Sequence, residues 1–376
     1  MSAPSPAFPA SPPPVEDDDV SHIKSIFDPA TLVKRGYCAV STGKERAAEG
    51  HKVYYELHGE DKPTSKRLVF IMGLSNSAFA WHNQLPFFAR LPGYSVLVFD
   101  NLGVGHSTSP SHALSAALTR YKTSEMARDV VELLEYLGWV ERGEVVVEGK
   151  GKGREGEGLG KTEGWRRQLH VVGISMGGMI AQELALLLPA SLLSLTLTST
   201  HSGAPFYAPS LPSRKATSMI MKQMAGLVKT PEQQIGEIVS VLFPEGFLEE
   251  REEDGRTRRE RLNAEFLHRY HLNRRQPLSG RMGQTFAALS HHVPAAKLAS
   301  IGENVPRVAV VHGEEDEMIH VSKGKALHEG IPNSTLLLIP TGGHALPSQI
   351  TDQYNDWVRG VVEEAEAMED ARLGVR

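Results

Sequence analysis

A serine between two glycines is the first feature of this sequence that could do covalent chemistry. Residues 173–177 read Gly-Ile-Ser-Met-Gly and match the pattern G-x-S-x-G around Ser175. In this pattern the serine lies on a sharp turn between a strand and a helix, where glycines remove side chains that would clash. A hydroxyl held there can attack a carbonyl carbon if a neighbouring base takes its proton. The pattern therefore predicts that Ser175 is a nucleophile.

The residues on either side of the motif supply the elements that this chemistry needs. The apolar run at 169–174 indicates a buried strand, and residues 176–188 indicate a helix. The start of such a helix directs backbone N–H groups and the positive end of its dipole toward a developing oxyanion. Met176 is therefore one expected oxyanion donor. Strand, turn and helix together favour a nucleophile over the alternative, a plain glycine-rich turn.

The rest of the chain alternates between buried strands and helices. Continuous apolar runs are typical of strands that are covered on both faces of a parallel sheet. They occur at 68–71, 95–99, 169–174, 192–198, 307–312 and 335–339. Helices are expected around 80–90, 123–137, 176–188 and 348–367. This alternation predicts an α/β fold with a mostly parallel central sheet and helices on both of its faces.

Three segments resemble the α/β-hydrolase superfamily. They are residues 173–188, the run Ile-Met-Gly-Leu at 71–74, and Phe-Asp-Asn-Leu-Gly-Val-Gly-His-Ser at 99–107. The resemblance extends from about Tyr37 to Val361 and is weakest between residues 202 and 300. It implies the α/β-hydrolase fold with a mainly helical cap insertion.

The resemblance also implies a catalytic triad in the chain order serine, acid, histidine. The family's histidine follows the last strand, and His344 lies there in the sequence Gly-Gly-His. The family's acid follows the preceding strand, three residues after a glycine, which is Asp316 in the run Gly-Glu-Glu-Asp at 313–316. Glu315 is the second candidate for the acid.

The same resemblance assigns the N–H of Leu74 as the second oxyanion donor, beside that of Met176. Many relatives have His-Gly where this chain has Met-Gly at 72–73, but the donors are backbone groups. Residues 100–107 resemble the family's D-x-R-G-x-G-x-S loop, with Leu102 where arginine is usual. We expect this loop to be architectural, and the change leaves open which charge partner Asp100 uses.

The composition and the sequence pattern predict the organisation of the chain. Residues 1–30 form a Pro-rich N-terminus that we expect to be disordered, because it offers little apolar area. The predicted parts are a first core part at 31–201, a cap subdomain at 202–300 and a second core part at 301–376. A Gly/Lys/Glu-rich loop at about 143–167 precedes the strand of the nucleophile, so we expect it to be flexible and remote from the site.

Composition excludes several classes of partner. The net charge of −5 gives no reason to expect nucleic-acid binding, and Cys38, the single cysteine, rules out an intramolecular disulfide.

No apolar run is long enough to span a bilayer and the first residues do not read as a signal peptide, so a cytoplasmic protein is expected. No Cys/His/carboxylate cluster has zinc-site spacing, and no metal or other cofactor is expected. The oligomeric state is left open.

The sequence therefore predicts a serine hydrolase that cleaves a small-molecule carboxylic ester, or a lactone or thioester, through an acyl-enzyme on Ser175. Serine at this position argues against epoxide hydrolases and haloalkane dehalogenases, which have aspartate there. Two alternatives remain open. One is an acyltransferase that uses the same triad, and the other is a non-catalytic binding protein on the same fold.

Overall fold

The central element of the molecule is a single sheet. A computed structural model describes residues 19–40, 51–108, 122–141, 166–204, 213–224 and 227–375. In these residues eight strands pair in the order β1-β2-β4-β3-β5-β6-β7-β8, and β2 runs antiparallel to both neighbours while the other pairs are parallel. The strands are β1 (Leu32–Val40), β2 (His51–Gly59), β3 (Lys66–Ile71), β4 (Tyr94–Phe99), β5 (Leu169–Ile174), β6 (Leu192–Thr198), β7 (Arg307–Gly313) and β8 (Thr335–Ile339). The predicted α/β-hydrolase fold is confirmed.

Helices follow most of the strands in the described part of the chain. They are α1 (Gln84–Ala89), α2 (Thr123–Tyr136), α3 (Met176–Leu187), α4 (Arg214–Met224), α5 (Pro231–Leu242), α6 (Glu245–Glu249), α7 (Arg258–Leu272), α8 (Leu278–Ser290), α9 (Ala295–Asn304), α10 (Val321–Gly330), α11 (Leu346–Gln349) and α12 (Thr351–Leu373). Short 3-10 helices lie at Pro29–Thr31 and Ala78–Trp81.

The sheet is buried on both faces, which explains the continuous apolar runs of its strands. Alternate side chains of β3 point to opposite faces. Val69 and Ile71 join a core with α2, α3, α9 and α10, whereas Leu68 and Phe70 join a core with α1 and α12. Two layers of helices therefore fix the sheet from both sides, and the loops at the carboxyl ends of its strands rest on a rigid base.

In the described residues six helices, α4 to α9, lie between β6 and β7, and we call residues 202–294, which contain α4 to α8, the insertion. Helices α5 and α7 pack against each other through a small apolar core of their own. The next helix, α9, contributes Leu298 and Ile301 to the same core as α3. The chain thus returns to the sheet layer before residue 300.

Two segments that the sequence marks as irregular are partly described. Residues 1–18 lie outside the described range, but within residues 19–30 Ile23 and Phe27 are buried in the core that contains α1. Residues 142–165 also lie outside the described range. Arg166, at the end of the predicted flexible loop, forms ion pairs with Glu366 and Asp370 of α12.

The structure differs from the predicted helices in two places. The expected helix at 80–90 is split into the 3-10 helix at 78–81 and α1. Because Pro86 has no N–H, it fits the first turn of a helix that begins at Gln84 but not the interior of a longer one. The last helix divides at Ile350 and continues to Leu373, where Gly374 ends it with φ 68°.

Candidate active site

Ser175 lies at the carboxyl end of β5 and precedes the first residue of α3. Its backbone angles are φ 55° and ψ −124°, which a non-glycine residue adopts only under strain. The backbone around it is fixed on both sides: the Ser175 N–H donates to the carbonyl of Thr198 at 3.0 Å. The Ser175 carbonyl accepts from the Gly178 N–H at 2.9 Å and from the Thr200 hydroxyl at 2.7 Å. These contacts hold the strained turn.

Close backbone packing explains the glycines of the motif. A Cβ on Gly173 would lie 2.4 Å from the carbonyl oxygen of Gly177, and a Cβ on Gly177 would lie 2.1 Å from that of Ile71. Both obstacles are backbone atoms, which cannot move aside cheaply. A Cβ on Gly73 would lie 3.6 Å from Ser175 Oγ, so the loop after β3 runs directly beside this hydroxyl.

The structure brings Asp316 and His344 together. Nδ1 of His344 lies 2.8 Å from Oδ2 of Asp316, and both side chains are buried. Oδ1 of Asp316 accepts the N–H groups of Met318 and Ile319, each at 2.8 Å. Burial alone would raise the pKa of Asp316, but the neighbouring His344 and His312 outweigh it and hold the pKa well below its usual range. An ionised carboxylate here favours a proton on Nδ1 of His344 and leaves Nε2 free to act as a base.

Glu315, the second candidate for the acid, occupies a different position. Its side chain is exposed, and its backbone N–H donates to the carbonyl of Gly342 at 2.9 Å. Asp316 is the carboxylate that contacts the histidine. The neighbouring residues of the run thus point in different directions, because the loop turns after Gly313.

His312 is a part of this arrangement that sequence reasoning missed. It is fully buried on β7, and its Nε2 lies 2.8 Å from the carbonyl oxygen of Ile319 and 3.2 Å from Oδ2 of Asp316. Since a carbonyl oxygen can only accept, Nε2 carries a hydrogen, and it faces the same carboxylate oxygen as His344. The available signal was a histidine at the end of a buried apolar strand, where a polar group needs a partner.

The loop that carries His344 is fixed by the insertion. The N–H groups of His344 and Ala345 donate to the carbonyl of Leu242, at 2.8 Å and 3.3 Å, at the end of α5. A Cβ on Gly343 would lie 2.5 Å from the same carbonyl oxygen. The backbone of the histidine therefore depends on a contact that residues outside the sheet layer provide.

One expected oxyanion donor, Met176, directly follows Ser175, and the other, Leu74, lies in the loop that runs beside it. Met176 is the first residue of α3, so its N–H has no acceptor within the helix. Leu74 follows Gly73 in the loop after β3. Within the described ranges, no protein acceptor takes a hydrogen bond from either N–H. Behind this loop, Nδ2 of Asn101 donates to the carbonyl of Met72 at 2.8 Å.

Asp100 is bound by backbone N–H groups. The arginine that is usual in this loop is replaced by Leu102 in this chain. The carboxylate of Asp100 accepts the N–H groups of Ala78 and His106, each at 2.7 Å, and burial raises its pKa to about 7. Gly105 has φ 57°, and a Cβ there would lie 2.1 Å from this carboxylate. Leu102 can replace the arginine because two backbone donors already satisfy the acid. The loop is therefore built around Asp100.

The family follows from this topology together with a sequence match. A family model described as the alpha/beta hydrolase family matches residues 68–358. The chain belongs to the α/β-hydrolase family. The matched range begins in β3 and ends in α12, so it includes Ser175, Asp316 and His344.

Individual proteins resemble this α/β hydrolase over most of its length. It is 24% identical to "Putative carbamate hydrolase RutD" of Stutzerimonas stutzeri (strain A1501) over 316 residues, which cover 81% of this chain and 94% of the relative. A hydrolase from Pseudomonas aeruginosa PA01 superposes with a TM-score of 0.57 at 21% identity, covering 88% of this chain and 98% of the other. Est816, an N-acyl homoserine lactone degrading enzyme, superposes with a TM-score of 0.56 at 22% identity, covering 84% and 98%. At such identities the superpositions show a shared fold.

Two further properties concern the described part of this α/β hydrolase. There, no group of three or more His, Cys, Asp or Glu side chains is arranged to hold a metal ion. Nor is any helix in the same residues long and apolar enough to cross a membrane.

Proposed function

We propose that this α/β hydrolase is a serine hydrolase that cleaves a small-molecule carboxylic ester, or a lactone or thioester, through an acyl-enzyme on Ser175. The observation that carries the proposal is the 2.8 Å contact between Asp316 and His344. A buried, ionised carboxylate against an imidazole is the arrangement that makes histidine a base toward a serine hydroxyl. The strained turn at Ser175, at the same edge of the sheet, supports the assignment.

The first half of the reaction forms the acyl-enzyme. Nε2 of His344 takes the proton of the Ser175 hydroxyl while Oγ attacks the carbonyl carbon of the ester. The negative charge on the carbonyl oxygen is stabilised by the N–H groups of Leu74 and Met176. His344, now protonated, gives its proton to the leaving alcohol as the carbon–oxygen bond breaks. Asp316 remains ionised and stabilises the imidazolium.

The second half returns the free enzyme. Water enters after the alcohol has left, and Nε2 of His344 removes its proton as it attacks the acyl carbon. The same two backbone donors stabilise the second tetrahedral intermediate. His344 then protonates Ser175 Oγ and the carboxylic acid is released. An alcohol in place of this water would give acyl transfer instead, which is the alternative use of the same residues.

A carbamate is the second candidate substrate. The relative named as a carbamate hydrolase matches over 81% of this chain. Attack on a carbamate requires the same nucleophile, base and oxyanion donors, and it differs only in the nitrogen attached to the carbonyl carbon. Comparing matched ester and carbamate substrates on one leaving group would rank the two.

The nucleophile is tested by a fluorophosphonate probe, which reacts covalently with activated serines. The wild type should be labelled, and Ser175→Ala should lose both labelling and ester turnover. Ser199→Ala is a matched control, because Ser199 lies in the next loop and its buried hydroxyl has no partner in the described structure. This control should still be labelled.

Two results would contradict the proposal: a folded wild type that the probe does not label, or a Ser175→Ala variant that retains full turnover. The substrate class is then tested with esters of graded acyl length, lactones, thioesters and carbamates. Product analysis in water–alcohol mixtures separates hydrolysis from acyl transfer.

A further inference from the structure

Gln284 is a fully buried side chain that joins the insertion to the loops around Ser175. It lies on α8 with 0% of its surface exposed. Its Oε1 accepts the N–H of Ser75 at 2.8 Å, and its Nε2 donates to the carbonyl of Leu102 at 2.9 Å. Oε1 also accepts from Nε2 of Gln276 at 3.3 Å. Through its two backbone partners, Gln284 fixes the path of the chain at two points beside the nucleophile.

The first of these points lies in a tight turn. The N–H of Asn76 donates to the carbonyl of Gly73 at 3.4 Å, which makes Leu74 and Ser75 the central residues. Ser75 has φ 60°, whereas Leu74 is not among the described residues with positive φ. A positive φ at the second central position alone is the mark of a type II turn, which normally has glycine there. For a serine at that position, a type I turn would be less strained.

The amide of Gln284 favours one of these two turns, from outside the loop itself. They differ by a rotation of about 180° of the peptide that joins the central residues. In the observed turn, the N–H of this peptide points at Oε1 of Gln284, and its carbonyl accepts from Nδ2 of Asn76 at 3.1 Å. In a type I turn the carbonyl of Leu74 would point there instead, and two acceptors would face each other. The hydroxyl of Ser75 does not hold the turn, because its buried oxygen has no partner in the described structure.

We propose that Gln284 is a positioning residue that holds the 73–76 turn, in which Leu74 carries the proposed oxyanion donor, in the observed form. This rests on the proposed function, in which that N–H is a donor. If the peptide between Leu74 and Ser75 rotated, its dipole would be reversed beside the N–H of Leu74, and the loop would lose its fixed geometry. An amide of the insertion thus acts on the chemical step through the oxyanion loop.

The kinetic test uses Gln284→Leu, which removes the acceptor of the Ser75 N–H together with the donor to the Leu102 carbonyl and leaves a shorter, apolar side chain. Loss of a whole oxyanion donor lowers kcat by about 10²–10³, so loosening one donor should lower kcat for an ester by about tenfold. KM should stay within about twofold, because the interaction strengthens in the transition state. Thr285→Val is the control on the same helix: its hydroxyl bonds to the carbonyl of Arg281, one turn back. It should keep the wild-type kcat.

A second variant separates positioning from support of the fold. Ser75→Gly removes the strain of a positive φ, so the turn no longer needs Gln284. The double variant Ser75→Gly/Gln284→Leu should return to within about threefold of the kcat of Ser75→Gly alone. A glutamine that merely stabilised the insertion would not be rescued by a glycine 209 positions away. Wild-type kcat in Gln284→Leu, or a double variant as slow as Gln284→Leu, would overturn the proposal.

Hydrogen exchange of the peptide that covers residues 73–76 gives a readout that does not depend on activity. Exchange of the Ser75 amide should be faster in Gln284→Leu than in the wild type and in Thr285→Val. Unchanged exchange would overturn the proposal even for a proven serine hydrolase. If Ser175→Ala instead retained its turnover, the proposed function would fail, while exchange would still report whether Gln284 holds the turn.

Discussion

Replacement of Asp316 by asparagine should reverse the hydrogen bond that sets the tautomer of His344. The N–H groups of Met318 and Ile319 both donate to Oδ1 at 2.8 Å, so the amide oxygen must take that position. The amide nitrogen then occupies the position of Oδ2, 2.8 Å from Nδ1 of His344. Because an amide N–H can only donate, Nδ1 must lose its proton. The proton moves to Nε2, where the reaction needs a base.

The size of the effect follows from this tautomer. The equivalent replacement in a serine protease triad lowers kcat by about 10⁴, and we expect a loss of that order here. The amide nitrogen would also face the N–H of His312, which lies 3.2 Å from Oδ2. His312 keeps the carbonyl of Ile319 as its acceptor, so the amide N–H that faces His312 is left unpaired, which costs about 1–3 kcal/mol of stability. Asp316→Asn should therefore fold but turn over very slowly.

The assay is kcat for an ester at neutral pH, with circular dichroism to show that the variant is folded. Glu315→Gln is the matched control, since it makes the same chemical change one residue earlier on an exposed side chain. It should keep the wild-type kcat. A folded Asp316→Asn variant that retained more than about a tenth of the wild-type kcat would refute the tautomer argument.

Two further predictions concern packing and pH. Gly177→Ala should lower Tm and abolish probe labelling, because the new Cβ would lie 2.1 Å from the Ile71 carbonyl oxygen. The control is Gly360→Ala on α12, where a Cβ meets only open space, and it should not lower Tm. A labelled Gly177→Ala variant with an unchanged Tm would contradict this. The pKa of Asp316 is lower in the folded protein than in the unfolded chain, where it is about 3.9. The ionised carboxylate therefore stabilises the fold fully above about pH 3.9, and this contribution is lost as the pH falls toward the lower folded pKa. In urea unfolding at pH 7, 5, 4 and 3, the difference in unfolding free energy between wild type and Asp316→Asn should become smaller below about pH 4. A difference that stays constant over this pH range would contradict the depressed pKa of Asp316.

The parts of the fold that sequence predicts are those that local physics decides. The predicted strand at 169–174 coincides with β5, because strands covered on both faces must be apolar throughout. The end of α2 is also a local matter, because Gly138, just after the helix, has φ 68°, which glycine adopts without strain. The division of the helix at 80–90 was missed because the apolar pattern conceals the effect of Pro86 on helix geometry.

The contacts that complete the candidate site are decided at long range. Gln284 meets Ser75 across 209 positions of sequence, and the carbonyl of Leu242 accepts the N–H of His344. Neither contact leaves a pattern in the local sequence. Glutamine is a common surface residue, and every residue has a backbone carbonyl, so the sequence does not mark the one that is used. His312 differs, because a histidine in a buried strand signals that a partner must exist.

The hydrogen bonds from His344 and Ala345 to the carbonyl of Leu242 have a consequence for how such enzymes diversify. The accepting group is a main-chain carbonyl, so it tolerates many side chains at that position but not a change in the length of α5 before it. A chimera that received a foreign insertion would need one carbonyl at this place, whatever its residues. Exchange of the insertion by recombination is thus limited by backbone geometry at this joint, in addition to the contacts that Gln284 makes.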